Sequence, residues 1–165
     1  MKNRIYQEPK IVTEAVKVIA GLSIKTCLKE NKSQELWHTF HSLKKSIKGQ
    51  KTDGSYNIQQ YHHDFLRDPF LPTTIFIRWA GVEVNSGEDI PVGLKQFVIP
   101  RSKWAVFNYV GTANNFGVFA NYIYGQWLPI SSYTLADGPH FEYLPPNYPG
   151  PDDPTAQEEV WIPIK

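Results

Sequence analysis

VIPRSKWAVFNYVGTANNFGVFANYIYGQWLPISSYTLADGPHFEYLPP, residues 98–146, completed by EEVWIPIK, residues 158–165, carries the order of elements that decides the fold. LKQFVIP, beginning at Leu94, and SKWAVFNYVG read as strands, rich in β-branched and aromatic residues and separated by a Pro100-Arg101 turn. NNFGVFANYIYGQWLP then switches to helical spacing, with Phe116, Phe119, Ala120, Ile123 and Trp127 on one face. Gly125 interrupts that text at about 1 kcal/mol relative to alanine, so close packing or an early helix end is expected there. HFEYLPP and EEVWIPI read as two closing strands around a proline-rich loop, Pro145 to Pro154.

Working outward, the first half repeats the order. IVTEAVKVIAGLSIKT, Ile11 to Thr26, reads as one strand whose Val16, Val18, Ala20, Leu22 and Ile24 share a face, with Gly21 marking a bulge or a close backbone approach. NKSQELWHTFHSLKKSIK is helical: Leu36, Trp37, Phe40, Leu43, Lys44 and Ile47 fall on one face, and Asn31 or Ser33 can cap its start. YNIQQYH and TTIFIRWAGVEV read as strands, the second with Ile75, Ile77 and Trp79 on one face and Phe76 and Arg78 on the other. The expected fold class is therefore α+β: two strand–helix–strand–strand units, about residues 11–84 and 96–165 of a single domain. They would form one mainly antiparallel sheet with both helices on one side and a cleft between the units.

The totals set limits. The 165 residues suffice for one core, and 41 % hydrophobic with 20 % charged residues is the balance of a soluble globular chain. A net charge of +1 gives no reason to expect nucleic-acid binding. Lys44, Lys45, Lys48 and Lys51 read as a solvated helix end matched to its dipole. One cysteine, Cys27, excludes an internal disulfide and any cysteine-rich metal site. No apolar run approaches the roughly 20 residues that cross a bilayer, and no signal-like segment opens the chain, so a cytoplasmic setting is expected. His62-His63-Asp64 has metal-ligand residue types, yet neighbours on a strand point to opposite faces and no second cluster supports a site. No metal or cofactor is expected. The unusual figure is 14 % aromatic residues, with five Trp, nine Tyr and nine Phe.

The second half resembles the GyrI-like, or AraC-type effector-binding, family. The resemblance rests on Ile99-Pro100 followed by Ala105-Val106-Phe107, on Tyr124-Gly125-Gln126-Trp127-Leu128-Pro129, and on Gly138-Pro139 leading into the acid-bearing strand with Glu142. Ile162-Pro163-Ile164 completes it at the end. It implies two pseudo-symmetric units and a cleft between them for small, often aromatic and cationic compounds. Relatives occur fused to helix-turn-helix domains or free-standing. No helix-turn-helix precedes the domain here, so direct DNA binding is not expected. Two departures are Gln126 where many relatives carry an acid, read here as a surface position, and Tyr143-Leu144 where many relatives have E-x-Y.

The expected ligand residues follow. Glu142 occupies what looks like the family's buried acidic position; without the resemblance, an edge-strand glutamate facing water is the favoured reading. A carboxylate among rings is costly to desolvate, and a bound cation offsets that cost by pairing. Trp79, Trp104, Tyr109, Tyr122, Trp127 and Trp161 are candidates for the surrounding rings, each with core packing as the alternative. Trp104 and Tyr109 have opposite parity, so one strand puts them on opposite faces. Glu158 and Glu159 are alternative acids, placed lower because Ala156 and Gln157 suggest an exposed strand entry.

The function expected from this set is binding of a lipophilic, cationic, drug-like molecule by a sensor or sequestering protein. One alternative is hydrolysis of reactive genotoxic compounds, with Glu142 as general base beside Tyr109 or Tyr122. Another is a protein–protein modulator of the gyrase-inhibitor type, using the loop with Asp152 and Asp153. A protein partner or a homodimer stays open. No nucleophile elbow or catalytic histidine context favours an enzyme.

Overall fold

The computed structural model describes residues 6–62 and 69–165; His63 and Asp64 of the histidine motif lie outside them. Eight strands form one sheet: β1 (Lys10–Glu14), β2 (Lys17–Thr26), β3 (Ser55–Gln60), β4 (Phe76–Val84), β5 (Lys95–Ile99), β6 (Ser102–Val110), β7 (His140–Leu144) and β8 (Gln157–Ile164). Helix α1 spans Ser33–Lys44; helix α2 starts as Phe116–Tyr122, widens through a π-helical stretch, Ile123–Trp127, and closes with Leu128–Ile130. The strand order is β1-β6-β8-β7-β3-β4-β2-β5, and every neighbouring pair is antiparallel.

That order is its own mirror under exchange of β1 with β5, β2 with β6, β3 with β7 and β4 with β8. The pseudo-twofold axis therefore passes between β3 and β7. The shift of numbering that carries Lys10–Glu14 onto Lys95–Ile99 also carries Lys17 onto Ser102 and Ser55 onto His140. One expectation is corrected here. Ile11 to Thr26 is not a single strand: it breaks at Ala15-Val16, and Val16 is 54 % exposed. Facing changes parity across the break: Val12 packs with Trp104 in the helix-free core, whereas Val18 and Ala20 face α1. Each leading strand crosses over to the other unit, β1 pairing with β6 and β5 with β2.

The crossovers curl the sheet. β5 stands at one edge and β6 next to the other, yet only Pro100 and Arg101 separate Ile99 from Ser102. Three Cα steps span at most about 11 Å, so the two ends must approach each other. The helix-free face thus folds into a core of its own, with Ile19, Tyr56, Ile58, Trp79, Ile99, Trp104 and Phe141 buried together. On the other face α1 covers Ala20, Ala80, Val82 and Val84, and α2 covers Ala105, Phe107, Tyr109, Val160 and Ile162. Among the described residues no helix is long and apolar enough to cross a membrane.

The N-cap of α1 is Lys32, without a side-chain cap, rather than Asn31 or Ser33. Asn31 Oδ1 accepts the Ser33 backbone N–H at 3.0 Å at the start of α1, and Leu36 and Phe40 are buried beneath it. Gly21 is a close approach rather than a bulge. It faces Gly81 in an unbroken β2–β4 ladder, and a Cβ there would run into the Ala80 carbonyl oxygen. Gly125 contradicts both expectations: space is open around it, and the helix continues by widening, with the Leu128 N–H bonded to Ile123 O.

Candidate ligand site on the helix side of the sheet

α1 packs over β2 and β4, and α2 over β6 and β8, so neither helix covers the central strands β3 and β7. Period-two alternation brings Asn57 and Gln59 of β3 and His140 and Glu142 of β7 to the helix side of that uncovered strip. Gln59, His140 and Glu142 are nevertheless buried, at 6 %, 4 % and 7 % exposure. Rings supply the cover. Tyr61 meets Phe76 at 5.5 Å, Phe70 at 5.6 Å and His140 edge-on at 5.1 Å. From the π-helical stretch, Tyr124 leaves 36 % of its surface open while its hydroxyl turns inward to lie 2.7 Å from His140 Nδ1. The result is a strip of buried polar side chains covered by rings.

Glu142 is the centre of the strip. Its Oε2 accepts from Gln59 Nε2 at 2.7 Å and from Asn57 Nδ2 at 3.2 Å. Arg78 Nη1 donates to Asn57 Oδ1 at 3.1 Å, and its guanidinium sits 5.2 Å from the Phe76 ring centre. Among the described residues no cation lies within ion-pair distance of Glu142. Glu83 provides the contrast. It is equally buried, but on the opposite face, where it holds Lys51 at 3.4 Å and the Tyr56 hydroxyl at 3.1 Å. Glu83 carries its own counter-ion; among the described residues Glu142 has hydrogen-bond donors and the nearby field of Arg78. Burial raises the Glu142 carboxyl above its ordinary range, opposed by Arg78 and the donors. Burial also lowers His140 to about 4, leaving it neutral at pH 7, and raises the phenols of Tyr61 and Tyr124.

The candidate residues read from the sequence separate by face. Glu142 and Tyr109 share the helix side; Tyr109 packs on Phe116 and Phe119 and donates to Thr112 O at 2.6 Å. Trp79, Trp104 and Trp161 lie on the opposite face, where Trp161 stacks on Phe141 at 5.3 Å and Trp104 meets both edge-on. The sheet stands between these three tryptophans and Glu142. Trp127 is buried against Phe107, with Nε1 donating to Glu8 Oε2 at 3.2 Å. Tyr122 packs on Tyr6 and Phe119, with Glu8 nearby, turned toward the leading segment. A separate surface hollow of about 300 Å³ lies beside it, lined by Glu8, Pro9, Ile11, Trp127 and Tyr133, without Glu142.

Tyr61, Tyr124, His140, Asn57, Gln59 and Arg78, which surround Glu142, are not among the candidates read from the sequence. Strand parity with Glu142 was the signal available for His140, and the β3–β7 register needed for the rest is not visible before the sheet order is known. Gln126 is exposed, as expected of a surface position.

Two pseudo-symmetric units thus meet at the β3–β7 pair, over a buried acid covered by rings. The chain belongs to the GyrI-like family: the GyrI-like small molecule binding domain matches it over residues 7–165. It is 36 % identical over 85 residues to the transcriptional regulator BrlR of Pseudomonas aeruginosa, a match covering 52 % of this chain and 32 % of BrlR. The matched region thus spans about a third of that regulator's length. The structure of SAV2435 bound to tetraphenylphosphonium superposes with a TM-score of 0.66 at 14 % identity, covering 96 % of this chain and 94 % of SAV2435. The C-terminal domain of EcmrR superposes at 0.70 with 13 % identity, covering 98 % of both chains. At such identities the two structures speak for the fold.

Proposed function

We propose that this domain binds a lipophilic cation over this strip, between α1 and α2, and serves as a sensor or sequestering protein. Glu142 supplies the counter-charge, and Tyr61, Tyr124, His140 and Phe76 supply ring faces. The observation that carries the proposal is a carboxylate at 7 % exposure, held by two amide donors and without an ion-pair partner among the described residues. Such a group is costly to keep ionised unless a cation arrives. Each ring face adds about 0.5–2 kcal/mol of cation–π attraction in a desolvated site. SAV2435 with its bound tetraphenylphosphonium supports the choice of ligand class.

This assignment replaces Trp79, Trp104 and Trp161 by Tyr61, Tyr124 and His140 as the rings that meet the ligand. The test is calorimetric titration with tetraphenylphosphonium and with neutral triphenylphosphine oxide, on the wild type and on Glu142→Gln. Micromolar binding of the cation, about −8 kcal/mol, with weak binding of the oxide and loss of the difference in the variant, is the expected result. Equal binding of both ligands, or an unaffected variant, removes Glu142 from the site.

A further inference from the structure

Glu158 has no part in the site described so far, and the structure corrects its expected exposure. The entry to β8 is exposed on one face and covered on the other: Gln157 and Glu159 are exposed, whereas Ala156 is 1 % exposed and Glu158 is half-buried. Val160 stands directly opposite Glu142 in the β7–β8 pair, so Glu158 is its diagonal neighbour on the same face. Diagonal positions lie about 7–8 Å apart along neighbouring strands, within reach of two glutamate side chains. No hydrogen bond or ion pair engages Glu158 among the described residues.

The charges around the pair come from several elements. Arg78 faces it from β4, Tyr61 from the segment after β3, Tyr124 from α2 and His140 from β7 itself; Tyr148 enters from the β7–β8 loop with Asp152 near it. The tyrosines stay protonated and His140 is neutral at pH 7. Among the described residues, two carboxylates and one guanidinium would leave the site one negative charge in excess. Like charges sharing a water-poor site do not both ionise readily.

We propose that Glu158 is a second ligand-facing acid of the site: empty, Glu142 and Glu158 hold one proton between them, and one singly charged cation takes its place. The displaced proton leaves to bulk water, so the net charge of the site is unchanged by binding. The proposal rests on the cation-binding function above and adds its charge capacity, which is one, set by Arg78. Burial, with the charge of Glu142 as the lesser cause, holds the Glu158 carboxyl up to about 8. Below that pH, affinity for a cation should rise about tenfold per pH unit, and above it level off. A dication would meet no second free carboxylate.

The experiment is calorimetry with tetraphenylphosphonium, whose charge does not depend on pH, at pH 6, 7 and 8 in paired buffers of different ionisation enthalpy. Release of nearly one proton per ligand at pH 7, with about tenfold tighter binding than at pH 6, is expected. Glu158→Gln should release no proton and bind with little pH dependence. Ethidium should bind better than its doubly charged analogue propidium. Wild-type binding that is equal at pH 6 and 8, without proton release, overturns the role of Glu158 and leaves Glu142 as the lone acid. Absence of binding at every pH overturns both proposals. Carboxyl carbon NMR of the empty wild type provides a test independent of the variant's folding. One glutamate titrating near 8 is expected, and titration of every carboxyl below pH 6 contradicts the shared proton.

Discussion

Asn57 and Glu142 stand directly opposite each other across the β3–β7 pair, with Asn57 Nδ2 donating to Glu142 Oε2 at 3.2 Å. The shift that superposes the other strands carries one position onto the other, so the pseudo-twofold axis runs through this pair. An amide in one unit and an acid in the other occupy equivalent places. The asymmetry gives the site its charge, and the amide, bonded in turn to Arg78, orients the acid.

Gln59→Leu should weaken cation binding about tenfold or more with little change in fold. It removes the 2.7 Å donor to Glu142, and hydrogen bonds to charged groups are worth about 1.5–3 kcal/mol. The neutral form of the acid gains accordingly. Calorimetry on the variant checks this, and unchanged affinity would mean that Gln59 does not sustain the ionised acid.

Trp104→Ala and Tyr124→Phe should behave oppositely. Trp104 is 1 % exposed in the helix-free core, so its truncation should cost about 3–5 kcal/mol of stability in chemical denaturation. The folded fraction should keep its ligand affinity. Tyr124→Phe loses only the hydroxyl placed against His140; it should cost about 1 kcal/mol of stability and weaken binding severalfold. The same shift in both affinities would contradict the separation of faces.

Gly21→Ala should destabilise the fold by about 2 kcal/mol or more, because the added Cβ meets the Ala80 carbonyl oxygen across the β2–β4 ladder. A melt close to that of the wild type would show that the two strands can separate locally without penalty.

The empty protein should lose stability as pH rises from about 6 toward 8. Glu158 titrates at about 8 when folded against 4.5 as its reference, so its contribution is full below the lower value and is lost through the upper one. His140 acts in the other direction. Lowered to about 4 from 6.5, it contributes above 6.5, and that contribution is lost as pH falls through 4. Thermal melts of the wild type, Glu158→Gln and His140→Asn should show the alkaline slope removed by the first substitution and the acid slope reduced by the second.

The elements were legible because each has local causes: the stripes of α1 and α2, Pro100-Arg101, and the alternation that set Trp104 against Tyr109 all hold in the structure. What the chain did not disclose is the crossover of β1 and β5. Pairing between distant strands leaves no local period, and the switch of facing at Ala15-Val16, from Val12 on the helix-free side to Val18 on the helix side, shows only once the partners are known. The helix-free core follows from that crossover, and it is where Trp104 and Trp161, each open to ligand contact or core packing in the sequence, are packed. Tyr61 and Tyr124 reach the site through register and a π-helical widening, neither of which leaves a pattern in the sequence.

The central claim is most directly tested by solving the structure of the domain with tetraphenylphosphonium bound. The account predicts one cation on the helix side of β3 and β7, its phosphorus within about 6 Å of the rings of Tyr61 and Tyr124 and facing the Glu142 carboxylate. A cation seated instead in the hollow beside Glu8 and Trp127, or among Trp79, Trp104 and Trp161 on the opposite face, would contradict it.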